Sequence, residues 1–226
     1  MLVATLVVLA GFSGSAFAQN PFLTVCNAVQ QQTCQGQFND ALGIDASYSI
    51  QQFEELRISI ERSYATGKAE GLLTTCMAFK NFKNCFTDEN YFACAENPLG
   101  LLANGSVGTG VTKAQAFGYT KIWNQLDFVC GAGFALFANA EDCASGIFSN
   151  QTQALRECDT DLLDSIASDP LDVCSYIEIA ANCYRMIFWN ACRRPEISFF
   201  GCNYERVGTE LNYPQCNSFC SFHELI

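Results

Sequence analysis

"CSYIEIAANCYRMIFWNAC", residues 174–192, decides the fold. Between its three cysteines, apolar residues recur at steps of three and four: Ile177, Ala180, Tyr184, Ile187, Phe188 and Ala191. That is the period of an α-helix. Asp169 offers an N-cap, and Pro170 suits the first helical position, where a missing N–H costs nothing. Arg193 and Arg194 favour a helix C-terminus, and Pro195 follows. The pattern predicts one helix over 169–193. Nine residues at about 100° each leave consecutive cysteines about 180° apart. Their Cα atoms would be about 13 Å apart along the axis, against a disulfide limit near 7 Å. Cys174, Cys183 and Cys192 must therefore each bond a cysteine outside the segment. With sulfurs on two faces and apolar residues on most sides, a central helix is expected.

The same C-x8-C-x8-C spacing recurs in "CMAFKNFKNCFTDENYFAC", residues 76–94. Thr87-Asp88-Glu89-Asn90 is turn-like here. Two readings stand: a continuous helix, or a small hairpin closed by Cys85–Cys94 or Cys76–Cys94. The two triplets align at an offset of 98, which sets Asn84 on Asn182, Phe86 on Tyr184 and Ala93 on Ala191. This suggests an internal duplication, with candidate halves 19–103 and 112–226. The upstream cysteines, Cys26 and Cys34 in one half and Cys130, Cys143 and Cys158 in the other, do not share a spacing.

Helical periodicity extends almost throughout. Ile50, Phe53, Leu56, Ile60 and Tyr64 mark one helix, with Ser49 and Gln52 as a capping box and Gly67 as its stop. Leu72, Leu73, Cys76, Phe79 and Phe82 mark the next. Asn97-Pro98 and the run "ANGSVGTGV" (103–111) break the pattern. Thr112 and Gln115 then open a long helix through Trp123 to Cys130. Leu155, Cys158, Leu162 and Ile166 mark another, ending before Pro170. Short irregular segments are expected around Cys202 to Cys220. No alternating strand is present in the pattern, so the fold class is all-α, a disulfide-stapled helical domain.

Fourteen cysteines in 226 residues is an even number, and all lie beyond residue 18. In an oxidising compartment they read as seven disulfides, whose pairing the sequence does not determine. The first eighteen residues, "MLVATLVVLAGFSGSAFA", carry an apolar run too short to span a bilayer and an A-x-A site. They read as a signal peptide, 1–18, cleaved after Ala18. The remainder, 19–226, is the cysteine-rich domain, and no other segment is a membrane-span candidate. A secreted, extracellular protein is expected. Net charge is −11. Such a surface repels nucleic acid and anionic lipid.

Repeated cysteine triplets in helices, with segments such as "LLTTCMAFKNFKNCF", resemble a nematode family of secreted cysteine-rich helical domains of unknown function. They also resemble the related domain of chondroitin proteoglycan 4. The resemblance implies a class and a compartment. It implies no catalytic residues.

Catalytic constellations are hard to assemble from this chain. Ser-His-acid or Cys-His chemistry needs a placed histidine, and the single histidine, His223, is the fourth residue from the end of the sequence. Cys216, Cys220 and His223 superficially resemble zinc ligands, but a secreted context favours disulfides. Carboxylate pairs such as Glu54-Glu55, and the cluster Asp159, Asp161 and Asp164, are expected on solvated faces. No cofactor is expected. Two sequons, Asn104-Gly105-Ser106 and Asn150-Gln151-Thr152, suit surface N-glycans, and Asn150 alternatively caps the following helix. Ser145-Gly146 after Glu141-Asp142 faintly resembles an acidic glycosaminoglycan attachment site. The expected function is a non-enzymatic extracellular binding, structural or matrix component, with an unknown protein or glycan partner. The alternative is a carrier of lipid or another small apolar ligand, with Phe134, Phe137, Phe188 and Trp189 lining its cavity.

Overall fold

The computed structural model describes residues 24–66, 69–103 and 110–221. The proposed signal peptide and its cleavage site, Gly67, the Asn104 sequon and His223 lie outside them. Among the described residues the fold is helical without strands. The order is α1 (Ala28–Leu42), α2 (Phe53–Tyr64), α3 (Ala69–Cys85), α4 (Asp88–Tyr91), a π-helical turn (Phe92–Glu96), α5 (Pro98–Leu102) and α6 (Lys113–Cys130). There follow α7 (Phe134–Ala138), α8 (Glu141–Asn150), α9 (Thr152–Ser168), a 3-10 turn (Pro170–Asp172), α10 (Val173–Cys192) and α11 (Pro195–Glu210).

Local chemistry sets most of these ends. Thr112 and Gln115 form the expected reciprocal capping box at the start of α6. Asn27 caps α1 by accepting from the Gln30 N–H, and Gly43, at φ 65°, closes it in the left-handed conformation that glycine tolerates. Arg193 takes the same conformation at the end of α10, with its guanidinium over the Trp189 ring. Pro195 then opens α11 at its first position. The expected Ser49–Gln52 box does not form. Ser49 Oγ instead bonds the Gln51 side chain, and Gln52 caps α2 without a side-chain bond.

The predicted helix over 169–193 is shorter and differently placed than expected. Asp169 accepts from the Leu171 N–H, which winds Pro170–Asp172 into a 3-10 turn, and the α-helix starts only at Val173. Nor is α10 buried on several faces. Val173, Ile177, Ala180, Tyr184 and Phe188 form one buried stripe, while Leu171, Ile179 and Met186 are exposed. Ala191 is exposed too. The central helix is α6. Along it Tyr119 to Leu126 are buried without a break, because α2, α3, α5, α7, α11 and the π-helical turn surround it. Trp123, fully buried, lies at its centre against Phe38, Phe79, Phe82 and Tyr119.

Each cysteine of the second triplet does bond outside its helix: Cys174 to Cys216, Cys183 to Cys158, and Cys192 to Cys143. In the first triplet α3 ends at Cys85 and the helix is interrupted at Phe86 and Thr87, so the continuous helix is not the one observed. Neither expected closure forms. Cys76 bonds Cys130, Cys85 bonds Cys34, and Cys94 bonds Cys26. The seventh bridge joins Cys202 to Cys220. Numbered in order, Cys26, Cys34, Cys76, Cys85, Cys94 and Cys130 pair first with fifth, second with fourth, and third with sixth. Cys143, Cys158, Cys174, Cys183, Cys192 and Cys216 pair in the same way. The Cys76–Cys130 bridge crosses the expected division between residues 103 and 112. The region expected to be irregular from Cys202 is helical through Glu210 and irregular only after Leu211.

Candidate functional site

Charge, rather than cysteine, distinguishes the interior. Arg57 and Glu61 lie one turn apart on α2 and pair at 3.1 Å, both buried. Their neighbours Leu56 and Ile60 carry this face of α2 into the core. Arg57 also donates from Nη1 to Asp159 of α9 at 2.8 Å, and from Nη2 to the Tyr184 hydroxyl of α10 at 2.8 Å. Arg156, one turn before Asp159, donates from Nη2 to Glu61 Oε1 at 3.0 Å. Lys121, in the middle of α6, donates to Asp159 at 2.9 Å and to Glu205 of α11 at 2.7 Å. Tyr204 donates to Glu61 at 3.0 Å, and Tyr184 to Asp159 at 3.1 Å.

Three cations, three carboxylates and two phenols thus join α2, α6, α9, α10 and α11. An unpaired charge in such a place would cost several kcal/mol. Here each charge has an opposite within ion-pair distance. Burial opposes ionisation of Asp159, but Arg57, Lys121 and Arg156 outweigh it and hold its carboxyl well below the usual carboxylate range. Burial pushes Glu205 the other way, above the usual range, with Lys121 opposing and Asp159 reinforcing. Burial also raises Tyr184 and Tyr204, so both remain phenols able to donate. Two close approaches admit the cluster. A Cβ on Gly208 would lie 2.8 Å from the Lys121 stem, and one on Gly118 would lie 2.1 Å from the Phe53 ring.

Above this layer is a pocket of about 320 Å³ between α2, α6, α9 and the end of α11. Phe53, Phe117, Leu162, Leu163, Ile166 and Tyr213 supply apolar wall. Arg57, Lys121, Arg156 and Asp159 supply the floor, and Glu54, exposed, stands at the wall. The size lies at the lower end of the usual range for small-molecule sites, and apolar walls with a few convergent polar groups are their usual composition.

The sequence-expected residues fall differently. Phe137 and Phe188 are fully buried in the aromatic core with Phe148 and Phe200, and none of Phe134, Phe137, Phe188 or Trp189 lines the pocket. Asp159, expected on a solvated face, is an ionic-layer member, whereas Asp161, Asp164, Glu54 and Glu55 are exposed as expected. Asn150 is exposed but ends α8 rather than capping α9, where Gln151 takes that place. Ser145 is buried in α8, its hydroxyl bonded to the Glu141 carbonyl, so it presents no attachment site. Cys216 and Cys220 are both in disulfides, and among the described residues no cluster could hold a metal ion. All fourteen cysteines are bridged.

Arg57, Lys121, Glu61 and Glu205 went unrecognised in the sequence. The available signal was charge on the apolar face: Arg57 between Leu56 and Ile60, Lys121 beside Ile122 and Trp123, Glu205 after Tyr204. Disulfide-stapled all-α protein is the class these features define. Comparison of the chain with protein-family models, curated proteins and solved structures returned no match. Among the described residues, no helix is long and apolar enough to cross a membrane.

Proposed function

We propose that this chain is a secreted, non-enzymatic binding protein, and that its pocket between α2, α6, α9 and α11 carries a small amphiphilic ligand. The observation that carries the proposal is the pairing of an apolar-walled cavity of about 320 Å³ with a charged floor. Seven disulfides suit an extracellular compartment. They also suit the resemblance to secreted cysteine-rich helical domains, which is part of this proposal. The cluster offers no nucleophile: its carboxylates are engaged by cations and its phenols are held protonated.

The ligand-carrier reading thereby moves from the aromatic core, where the sequence set it, to a different pocket. It is tested by native mass spectrometry of protein purified from culture medium. A bound small molecule, released on denaturation and replaced one-for-one by an added alkyl amphiphile, is expected. Protein that stays at its bare mass with excess amphiphile would overturn it.

We also infer that the chain arose by duplication of a six-cysteine unit, with the boundary between Cys130 and Cys143. Beyond the shared bonding order, Thr75, Phe79, Phe82 and Phe86 fall at the offset of 98 on Val173, Ile177, Ala180 and Tyr184, and all eight are buried.

A further inference from the structure

The charges around the pocket are not evenly distributed. Arg57, Lys121 and Arg156 all line it, whereas Glu61 and Glu205 do not and are fully buried beneath them. Only Asp159 among the layer's acids reaches the cavity. The chain as a whole has 12 Lys and Arg against 23 Asp and Glu. Three of those twelve cations therefore converge on one cavity of an acidic protein, with two of their three counter-charges, Glu61 and Glu205, set behind.

The donors differ in what they have left to give. Each Arg57 nitrogen already donates to a protein acceptor: Nε to Glu61, Nη1 to Asp159, Nη2 to Tyr184. Arg156 is less engaged. Its side chain is 22% exposed, against 8% for Arg57 and 10% for Lys121. Its Nη2 donates to Glu61 and to the Tyr184 hydroxyl, and its Nε, 3.4 Å from Asp159 Oδ2, makes no hydrogen bond but is buried, so Nη1 is the nitrogen left to meet a ligand. Of the two acids that line the pocket, Glu54 stands exposed at the wall, and a cationic head group on the floor would have to draw Asp159 away from Arg57, Lys121 and Tyr184 together. An anion meets no such competition, and a planar carboxylate fits the fork of a guanidinium.

Building on the carrier reading above, we infer that the ligand is a monocarboxylate amphiphile, its carboxylate seated on Arg156 beside Lys121 and its apolar tail along Phe53, Phe117, Leu163 and Ile166. Arg156 is then the residue that selects the head group.

One tail with three heads tests this. Delipidated, secreted protein is titrated calorimetrically with dodecanoate, dodecanol and dodecyltrimethylammonium, each below its micelle concentration. Dodecanoate is expected to bind at least tenfold more tightly than dodecanol, and the ammonium ion not at all. Arg156→Gln should reduce the acid-over-alcohol preference to threefold or less. Arg156→Lys, which keeps the charge, should retain part of the preference. Equal or tighter binding of dodecanol or the ammonium ion by the unaltered protein would overturn the carboxylate inference and leave the carrier reading standing. Binding of none of the three would remove both. An undiminished preference in a folded Arg156→Gln protein would overturn the role of Arg156.

Discussion

The Arg57 guanidinium and the Asp159 carboxylate meet at 2.8 Å across 102 positions of sequence. The contact joins α2 to α9 beneath the pocket, and both partners carry further bonds, so neither charge is free to leave. Removing one partner strands the other in a poorly solvated site. Asp159→Asn is expected to destabilise the protein by about 3 kcal/mol, the lower end of the usual loss for a broken buried pair.

The same substitution has a pH signature. Asp159 titrates well below its unfolded value of about 4, so its contribution is present above that pH and is lost as pH falls toward the folded value. The difference in melting temperature between Asp159→Asn and the unaltered protein should be largest near neutrality and shrink below about pH 4. Glu205 acts in the opposite sense: its raised pKa means that mild acidification relieves a buried charge. Melting curves from neutral pH to about pH 2 check both signs. A constant difference across that range would contradict the account.

Peptide mapping of the unreduced protein should return seven bridges, with Cys158–Cys183 and Cys174–Cys216 among them. Cys183→Ser should cost about 2–5 kcal/mol, the usual loss for a native bridge, and leave Cys158 as an odd thiol that lowers secretion. A Cys174–Cys183 or Cys183–Cys192 bridge would contradict the straight α10.

Much of this framework was legible in the sequence because it rests on local signals. The Thr112–Gln115 box, Pro195 just beyond α10 and the 3.6-residue period are properties of neighbouring residues, and they forecast α6, α9 and the body of α10 from Val173 onward. The alternation of three sulfurs about a helix forecast that each bonds elsewhere. Which partner each finds depends on how helices pack, and periodicity does not carry that. The same limit made α10 look central. Ile179 and Met186 lie across the helix from the stripe of Ile177, Ala180 and Tyr184, so apolar residues stand on two sides in sequence, yet its neighbours α8, α9 and α11 cover only the stripe. The ionic layer was hidden for another reason. A charged residue on a helix is ordinarily solvated, and Arg57 and Lys121 are buried, and Asp159 partly buried, only because residues far apart in sequence neutralise one another.

Gly208 makes room for Lys121 on α11, and Gly201 makes room for the Phe188 ring, which a Cβ would approach to 2.5 Å. Gly201→Ala and Gly208→Ala should each cost about 1–3 kcal/mol through overpacking. Gly146→Ala, at a position with no closer neighbour than 3.9 Å, should be neutral or slightly stabilising. Urea unfolding of the three variants checks the order.

Asn150 is exposed at the end of α8 and is expected to carry an N-glycan. Enzymatic deglycosylation should shift the mass of secreted material, and Asn150→Gln should remove that part of the shift without altering the melting temperature by more than a few degrees. An unchanged glycan mass in Asn150→Gln would show the site unused.

The central claim is that the cavity over Arg156 and Lys121 is a ligand site. Ala114 is exposed at the start of α6 and lines that cavity, so a large side chain there can fill the space without disturbing the core. The direct measurement is calorimetric titration of dodecanoate into delipidated protein, beside Ala114→Trp and an exposed control outside the cavity, Glu178→Gln. Saturable binding at one site per chain, retained in the control and abolished in a folded Ala114→Trp protein, is the predicted result. No saturable binding, or binding that Ala114→Trp leaves intact, would contradict it.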